Sequence, residues 1–155
     1  MTSTLNEEQR ELFRAIRKTA LDTLARREHS TLELKRKLDK KFGFTDLTHN
    51  VIEQLASEKL LSDERFAESY VNYRSGSGFG PQRIARELGE RGVNDTLART
   101  LVTQDMIDWL AIAQHERKKK FGETAPLEKR EKIKQIKFLQ YRGFPFDIID
   151  QVVGL

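Results

Sequence analysis

The chain has no cysteine among its 155 residues, only three prolines and one tryptophan, and no apolar run that approaches membrane-spanning length. Without cysteine there is neither a disulfide nor a thiolate zinc site, which suits a reducing compartment. The opening residues, Met1-Thr2-Ser3-Thr4-Leu5-Asn6-Glu7-Glu8, lack the basic and hydrophobic regions of a secretory leader. The expected setting is therefore the cytoplasm, with no membrane partner. His29, His49 and His115 are scattered, none in His-x-x-x-His spacing, so no metal or other cofactor is expected. A serine nucleophile elbow is absent, and carboxylates on amphipathic helices read as solvated faces rather than as catalytic acids in a cleft. The expectation is a protein that is not an enzyme.

What the chain does have is a phrase said nearly three times. Leu88-Gly89-Glu90-Arg91-Gly92-Val93 returns about 51 residues later as Leu139-Gln140-Tyr141-Arg142-Gly143-Phe144. A looser copy, Leu38-Asp39-Lys40-Lys41-Phe42-Gly43-Phe44, slips by one residue before its glycine. That period belongs to stacked helical repeats, which make extended surfaces for large partners more readily than enclosed pockets.

Helical periodicity runs almost from end to end, with no strand-like alternation. Nine helices are expected. In the first, Phe13, Ile16, Ala20 and Leu24 form one stripe. Ser30 and Glu33 have capping-box spacing and start the second near Thr31, with Leu34 and Leu38 inward and the lysines outward. Gly43 stops it, and Thr45 or Asp46 caps a third helix with Leu47, Val51, Ile52 and Leu55 inward. The second unit opens at Ser62-Asp63, passes through the glycine-rich Arg74–Pro81 stretch, buries Ile84 and Leu88, and turns at Gly92, after which Asn94 caps the next helix. The third unit's first helix is expected over 105–120, its second opening at Thr124 or Pro126 with Ile133, Ile136 and Leu139 inward, and its last after Pro145. The fold class is all-α: three tandem three-helix repeats, 1–59, 60–104 and 105–155, forming an elongated, curved modular rod.

Gly76-Ser77-Gly78-Phe79-Gly80 has the look of a phosphate cradle, but such loops follow a buried strand and continue with a correctly spaced Gly-Lys-Ser or third glycine. A flexible inter-helix loop is the better reading, although open amides at the Pro81 helix start would suit a phosphate. Trp109 and the nine phenylalanines fall mainly on apolar stripes and read as core.

Lys and Arg exceed Asp and Glu by four, 28 against 24, for a pI near 9.4. The excess lies in Arg26–Lys41 and in Arg117–Lys137. Exterior lysines commonly only solubilise. Yet Lys35, Arg36, Lys37, Lys40 and Lys41 share one helix, Arg83 and Arg86 lie on the corresponding helix of the next unit, and aligned helices would carry their charges as a phosphate-neutralising stripe. Arg91 and Arg142 are further candidates, with a structural role at a helix terminus equally open. A helix-turn-helix repressor is disfavoured, because Gln82-Arg83 alone stands where a recognition helix wants several base-reading side chains.

Several segments together resemble the RecX family of bacterial recombination regulators. They are Ser30-Thr31-Leu32-Glu33-Leu34-Lys35-Arg36-Lys37-Leu38, Leu61-Ser62-Asp63-Glu64-Arg65-Phe66-Ala67 with Tyr70, Gly80-Pro81-Gln82-Arg83-Ile84 leading to Glu87-Leu88 and Arg91-Gly92, and Phe138-Leu139 with Arg142-Gly143-Phe144. The likeness spans nearly the whole chain from about Ala20; Ser62 stands where the family often has Asp. The resemblance implies tandem three-helix repeats that bind the RecA recombinase filament on single-stranded DNA. It implies limited filament growth or promoted disassembly, and lowered strand exchange, ATP hydrolysis and the coprotease activity that triggers the SOS response. The expected partners are the RecA filament and single-stranded DNA, with double-stranded DNA a further one, and the expected state is a monomer. The alternative is an autonomous non-enzymatic DNA-binding protein acting through the basic face.

Overall fold

A computed structural model of the chain describes residues 4–154; Met1-Thr2-Ser3, the start of the segment read for a leader, lies outside them. Nine α-helices and no strand occur among the described residues: α1 (Glu7–Arg26), α2 (Thr31–Phe42), α3 (Asp46–Ser57), α4 (Asp63–Gly76), α5 (Pro81–Glu90), α6 (Asp95–Thr103), α7 (Trp109–Phe121), α8 (Lys129–Arg142) and α9 (Phe146–Val153). The fold is all-α and modular. No helix of the described chain is long and apolar enough to cross a membrane.

By contacts the chain divides into two compact units, residues 1–67 with 91–93, and residues 68–90 with 94–155. In the first, α1, α2 and α3 close on Ile16, Ala20, Leu34, Leu38, Val51 and Leu55, all fully buried, with Leu47, Ile52 and Leu61 around them. Truncating Leu34 or Leu38 to alanine in such a core costs about 2–5 kcal/mol. The caps set where these helices begin. Asn6 and Gln9 make a reciprocal capping box at α1, and Ser30 and Glu33 make another at α2. Thr45 caps α3, and the Asp63 carboxylate reaches across to accept from the Thr31 amide at 2.7 Å.

In the second unit, Ile84 and Leu88 of α5 and Ala98, Leu101 and Val102 of α6 are buried, and Asn94 caps α6 by accepting from Thr96 and Leu97. The packing of α7, α8 and α9 buries Ala113, Leu139, Phe144, Ile149 and Val153. Three expectations differ here. The glycine-rich stretch is shorter as a loop than its composition suggests, because α4 continues to Gly76. The seventh helix begins at Trp109, where the Asp108 side chain accepts from the Ala111 amide at 3.0 Å. The eighth begins at Lys129 rather than at Thr124 or Pro126.

The reason for that late start is Arg117. Its guanidinium is buried and donates to the carbonyls of Gly122, Glu123 and Thr124 and to Gln135 Oε1, pinning the 122–124 segment outside any helix. Gln135 occupies the inward position, and Ile133 is 42% exposed. Steps of three from 139 to 136 to 133 drift about 60° each around a helix, so Ile133 leaves the inward face that Gln135 and Leu139, four apart, share.

Candidate functional site

Helix α2 carries the first cluster of predicted contact residues. With Leu34 and Leu38 fully buried, the 3.6-residue period places Lys35, Arg36, Lys37, Lys40 and Lys41 on the exposed side. They are not equivalent. Lys35 pairs with Asp39 at 2.7 Å and lies 5.8 Å from the centroid of Phe44, itself 90% exposed. Lys37 donates to His29 Nε2 at 2.8 Å. Lys41 reaches Thr19 Oγ1 at 3.4 Å and lies over Phe42. Arg36 and Lys40, four apart on one face, form no ion pair among the described residues, so theirs are the charges most open to an anionic partner.

His29 is buried, and its neighbours fix its proton. Nδ1 faces the Arg27 carbonyl at 3.0 Å, which only accepts, so Nδ1 carries the hydrogen and Nε2 is left to accept from Lys37. Burial lowers its pKa below the usual histidine value, and the charges of Arg27 and Lys37 add to that. The imidazole is thus a neutral prop for Lys37.

On α5, Arg86 is exposed and meets Glu90 at 3.9 Å. Arg83 belongs to a different environment. Its Nε donates to Glu87 at 3.1 Å, its Nη1 donates to the Tyr141 carbonyl at 3.1 Å, and its guanidinium stacks on the rings of Phe79 and Tyr141 at 4.4 and 4.9 Å from their centroids. Arg74 lies 3.8 Å and Arg142 4.7 Å from the same Phe79 centroid, so three guanidinium groups enclose one ring. Glu87 answers their charge, accepting two hydrogen bonds from Arg74 at 2.9 Å and one from Tyr70 at 2.9 Å. Burial pushes that carboxyl up, and the bonds from Arg74, Tyr70 and Arg83 outweigh it, holding the pKa at about 2.

The repeated Arg-Gly phrase docks onto these side chains. Carbonyls of Arg142 and Gly143 accept from the amides of Gly80 and Gln82 at 2.7 and 3.0 Å, while Arg142 also pairs with Glu116 at 3.4 Å. Of the amides at the α5 start, an attractive phosphate seat from sequence, those of Gly80 and Gln82 are therefore already occupied. Arg91 pairs with Glu33 at 3.6 Å, and a Cβ on Gly92 would lie 2.8 Å from that of Leu32. In both copies an Arg-Gly turn settles on the first turn of a second repeat helix. Both arginines are held by carboxylates in that position.

Sequence reasoning marked the basic stretch Arg117–Lys137 but named only Arg142 on α8 as a contact residue. Arg130, Lys134 and Lys137 of that helix are exposed and form no ion pair among the described residues, and the exposed Tyr141 continues their line. The steps of four, three and four that place them on one face were readable from the sequence. No group of three or more His, Asp or Glu suited to a metal occurs among the described residues.

Comparisons with known proteins agree with this architecture. Residues 62–101 match the family model "RecX, second three-helix domain", and residues 107–153 match "RecX, third three-helix domain". Over 140 residues, 90% of each chain, the sequence is 42% identical to the regulatory protein RecX of Pseudomonas putida and 40% identical to that of Pseudomonas syringae pv. tomato. The crystal structure of RecX from Lactobacillus salivarius is similar at a TM-score of 0.75 and 22% identity, covering 92% of this chain and 94% of that one. A second crystal structure of regulatory protein RecX gives a TM-score of 0.80 at 17% identity, over 97% of this chain and 79% of that one. At such identities the structural likeness speaks for the fold.

Proposed function

The chain belongs to the RecX family of regulatory proteins, and on that premise we propose that it is a non-enzymatic negative regulator of the RecA recombinase. It binds the RecA filament on single-stranded DNA, limits extension or promotes disassembly, and so lowers strand exchange, ATP hydrolysis and SOS coprotease activity. The observation that carries this reading is the exposed cationic face of α2, where Arg36 and Lys40 make no ion pair among the described residues. A filament of protein and DNA is a polyanionic surface, and such a face meets it without first breaking internal pairs.

Charge reversal at Arg36 and Lys40 tests the assignment. These positions are better chosen than Lys35 and Lys37, whose pairs with Asp39 and His29 confound loss of binding with loss of structure. The double variant Arg36→Glu/Lys40→Glu is expected to keep its helicity and to need at least tenfold more protein for half inhibition of RecA ATPase. Undiminished inhibition by the folded variant refutes this role for the face.

The exposed cations of α8 support a second reading, an autonomous DNA-binding protein. Titrating single- and double-stranded DNA with and without RecA separates the two. Tight binding that RecA does not enhance favours the autonomous protein.

A further inference from the structure

We infer that Tyr141 is a stacking platform for an unpaired nucleobase, with Arg130, Lys134 and Lys137 of α8 tracking the backbone of the same single strand. One side of the Tyr141 ring rests on the Arg83 guanidinium, 4.9 Å from the centroid. The residue is nevertheless 73% exposed, so the opposite side of the ring faces solvent. A large aromatic surface held flat by a guanidinium and left open on its other face is shaped for a planar π system. Arg83 itself is fixed by Glu87 and the Tyr141 carbonyl and lies against Phe79, so the platform is held before any ligand arrives.

Arg130, Lys134, Lys137 and Tyr141 stand four, three and four residues apart, on one face of α8 over roughly 16 Å of helix. Phosphates running along the three cations bring a base to the ring at the end of the line. Charge alone would accept a duplex or an acidic protein surface. The open ring discriminates: bases in a duplex are stacked on one another, and only an unpaired base offers its face to an aromatic side chain.

This deepens the reading proposed above and rests on it, giving the single strand a seat within the second compact unit. The test leaves the recombinase out. Anisotropy of two labelled oligonucleotides of equal length, oligo-dT and its abasic counterpart, is followed with the full chain. Wild type is expected to prefer oligo-dT. The Tyr141→Ala variant loses roughly tenfold in oligo-dT affinity and all of the preference, whereas Tyr141→Phe keeps the preference. Lys134→Gln/Lys137→Gln weakens both oligonucleotides alike and lowers the salt slope by roughly 1.4. The preference is a ratio measured on one preparation, so a partly unfolded variant lowers both affinities together and does not mimic the result. An undiminished preference in Tyr141→Ala overturns the inference, as does failure of wild type to bind either oligonucleotide, which would leave the face to an acidic protein surface. Neither outcome alters inhibition of RecA by the α2 face, and failure of Arg36→Glu/Lys40→Glu to affect that inhibition leaves the oligonucleotide ratio standing.

Discussion

Glu87 shows how much one carboxylate holds in place. It accepts from Tyr70 and from Arg74 and Arg83, the last two of which also lie over Phe79, and its pKa of about 2 lies below the ordinary value of 4.5. A carboxyl that is more acidic folded than unfolded contributes stability that is complete above the unfolded pKa and is lost as pH falls through the folded one. The contribution is on the order of 2–3 kcal/mol, present in full above about pH 5 and absent near pH 2. Urea midpoints between pH 6 and pH 2.5 should therefore fall more steeply for wild type than for Glu87→Gln, which is less stable at neutral pH and flatter with acid. Parallel curves would show that the three donors gain nothing from the ionised form. The site was half legible at this scale. Arg83 was recognisable as a cation near the family-like Glu87-Leu88, but its burial among Phe79, Tyr141 and Glu87 depends on residues up to 58 positions away. Arg117 was misleading for a related reason: beside Lys118-Lys119-Lys120 it has the look of a solvated helix end, whereas its position four residues after the buried Ala113 turns it inward.

Among elements, the helix-ending glycines separate into stops and docking points. Gly143 and Gly154 both have left-handed backbone, φ 99° and 77°, as the residues closing α8 and α9. Nothing lies within 4 Å of a Cβ built on Gly154, whereas one on Gly143 would collide with the Arg83 side chain and come within 2.6 Å of its amide nitrogen. The backbone penalty is common to both, about 1 kcal/mol for alanine. The collision is peculiar to Gly143 and adds roughly 2 kcal/mol. Thermal unfolding should thus rank Gly143→Ala well below Gly154→Ala, and equal losses would show that the junction yields without cost. The looser first copy behaves as a stop. Gly43 closes α2 with φ 78° and ψ 178°, and a Cβ there would meet nothing within 4 Å. The recurrence of Arg-Gly was plain in the sequence, as were the caps at Ser30 and Asn94, while the cap of α3 lay between Thr45 and Asp46 and the structure gives it to Thr45. That the turn's carbonyls would take the amides of Gly80 and Gln82 was not, because a local pattern names a helix end without naming its neighbour.

Across the whole molecule the net charge of +4 understates how unevenly it is distributed. Helix α2 holds five cations and two carboxylates, and α8 holds six cations and one carboxylate, so the two helices carry +8 between them and the remainder of the chain is acidic by four. A global field would be weak and would draw phosphate to no particular place, whereas a locally unbalanced helix creates an attractive surface of its own. The two accounts differ for variants matched in charge. Lys134→Gln/Lys137→Gln and Lys118→Gln/Lys119→Gln each take the chain from +4 to +2. Lys118 and Lys119 are also exposed, but they stand at the end of α7 and Lys118 has Glu123 at 3.9 Å. If net charge governs, both pairs flatten the salt dependence of oligo-dT binding equally. If the α8 line governs, only the first does so, by roughly 1.4 in the slope of log K against log salt, and the second stays within error of wild type. Measured between about 50 and 200 mM salt, a range over which each counterion released changes affinity severalfold, equal slopes for the two variants would refute the localised account.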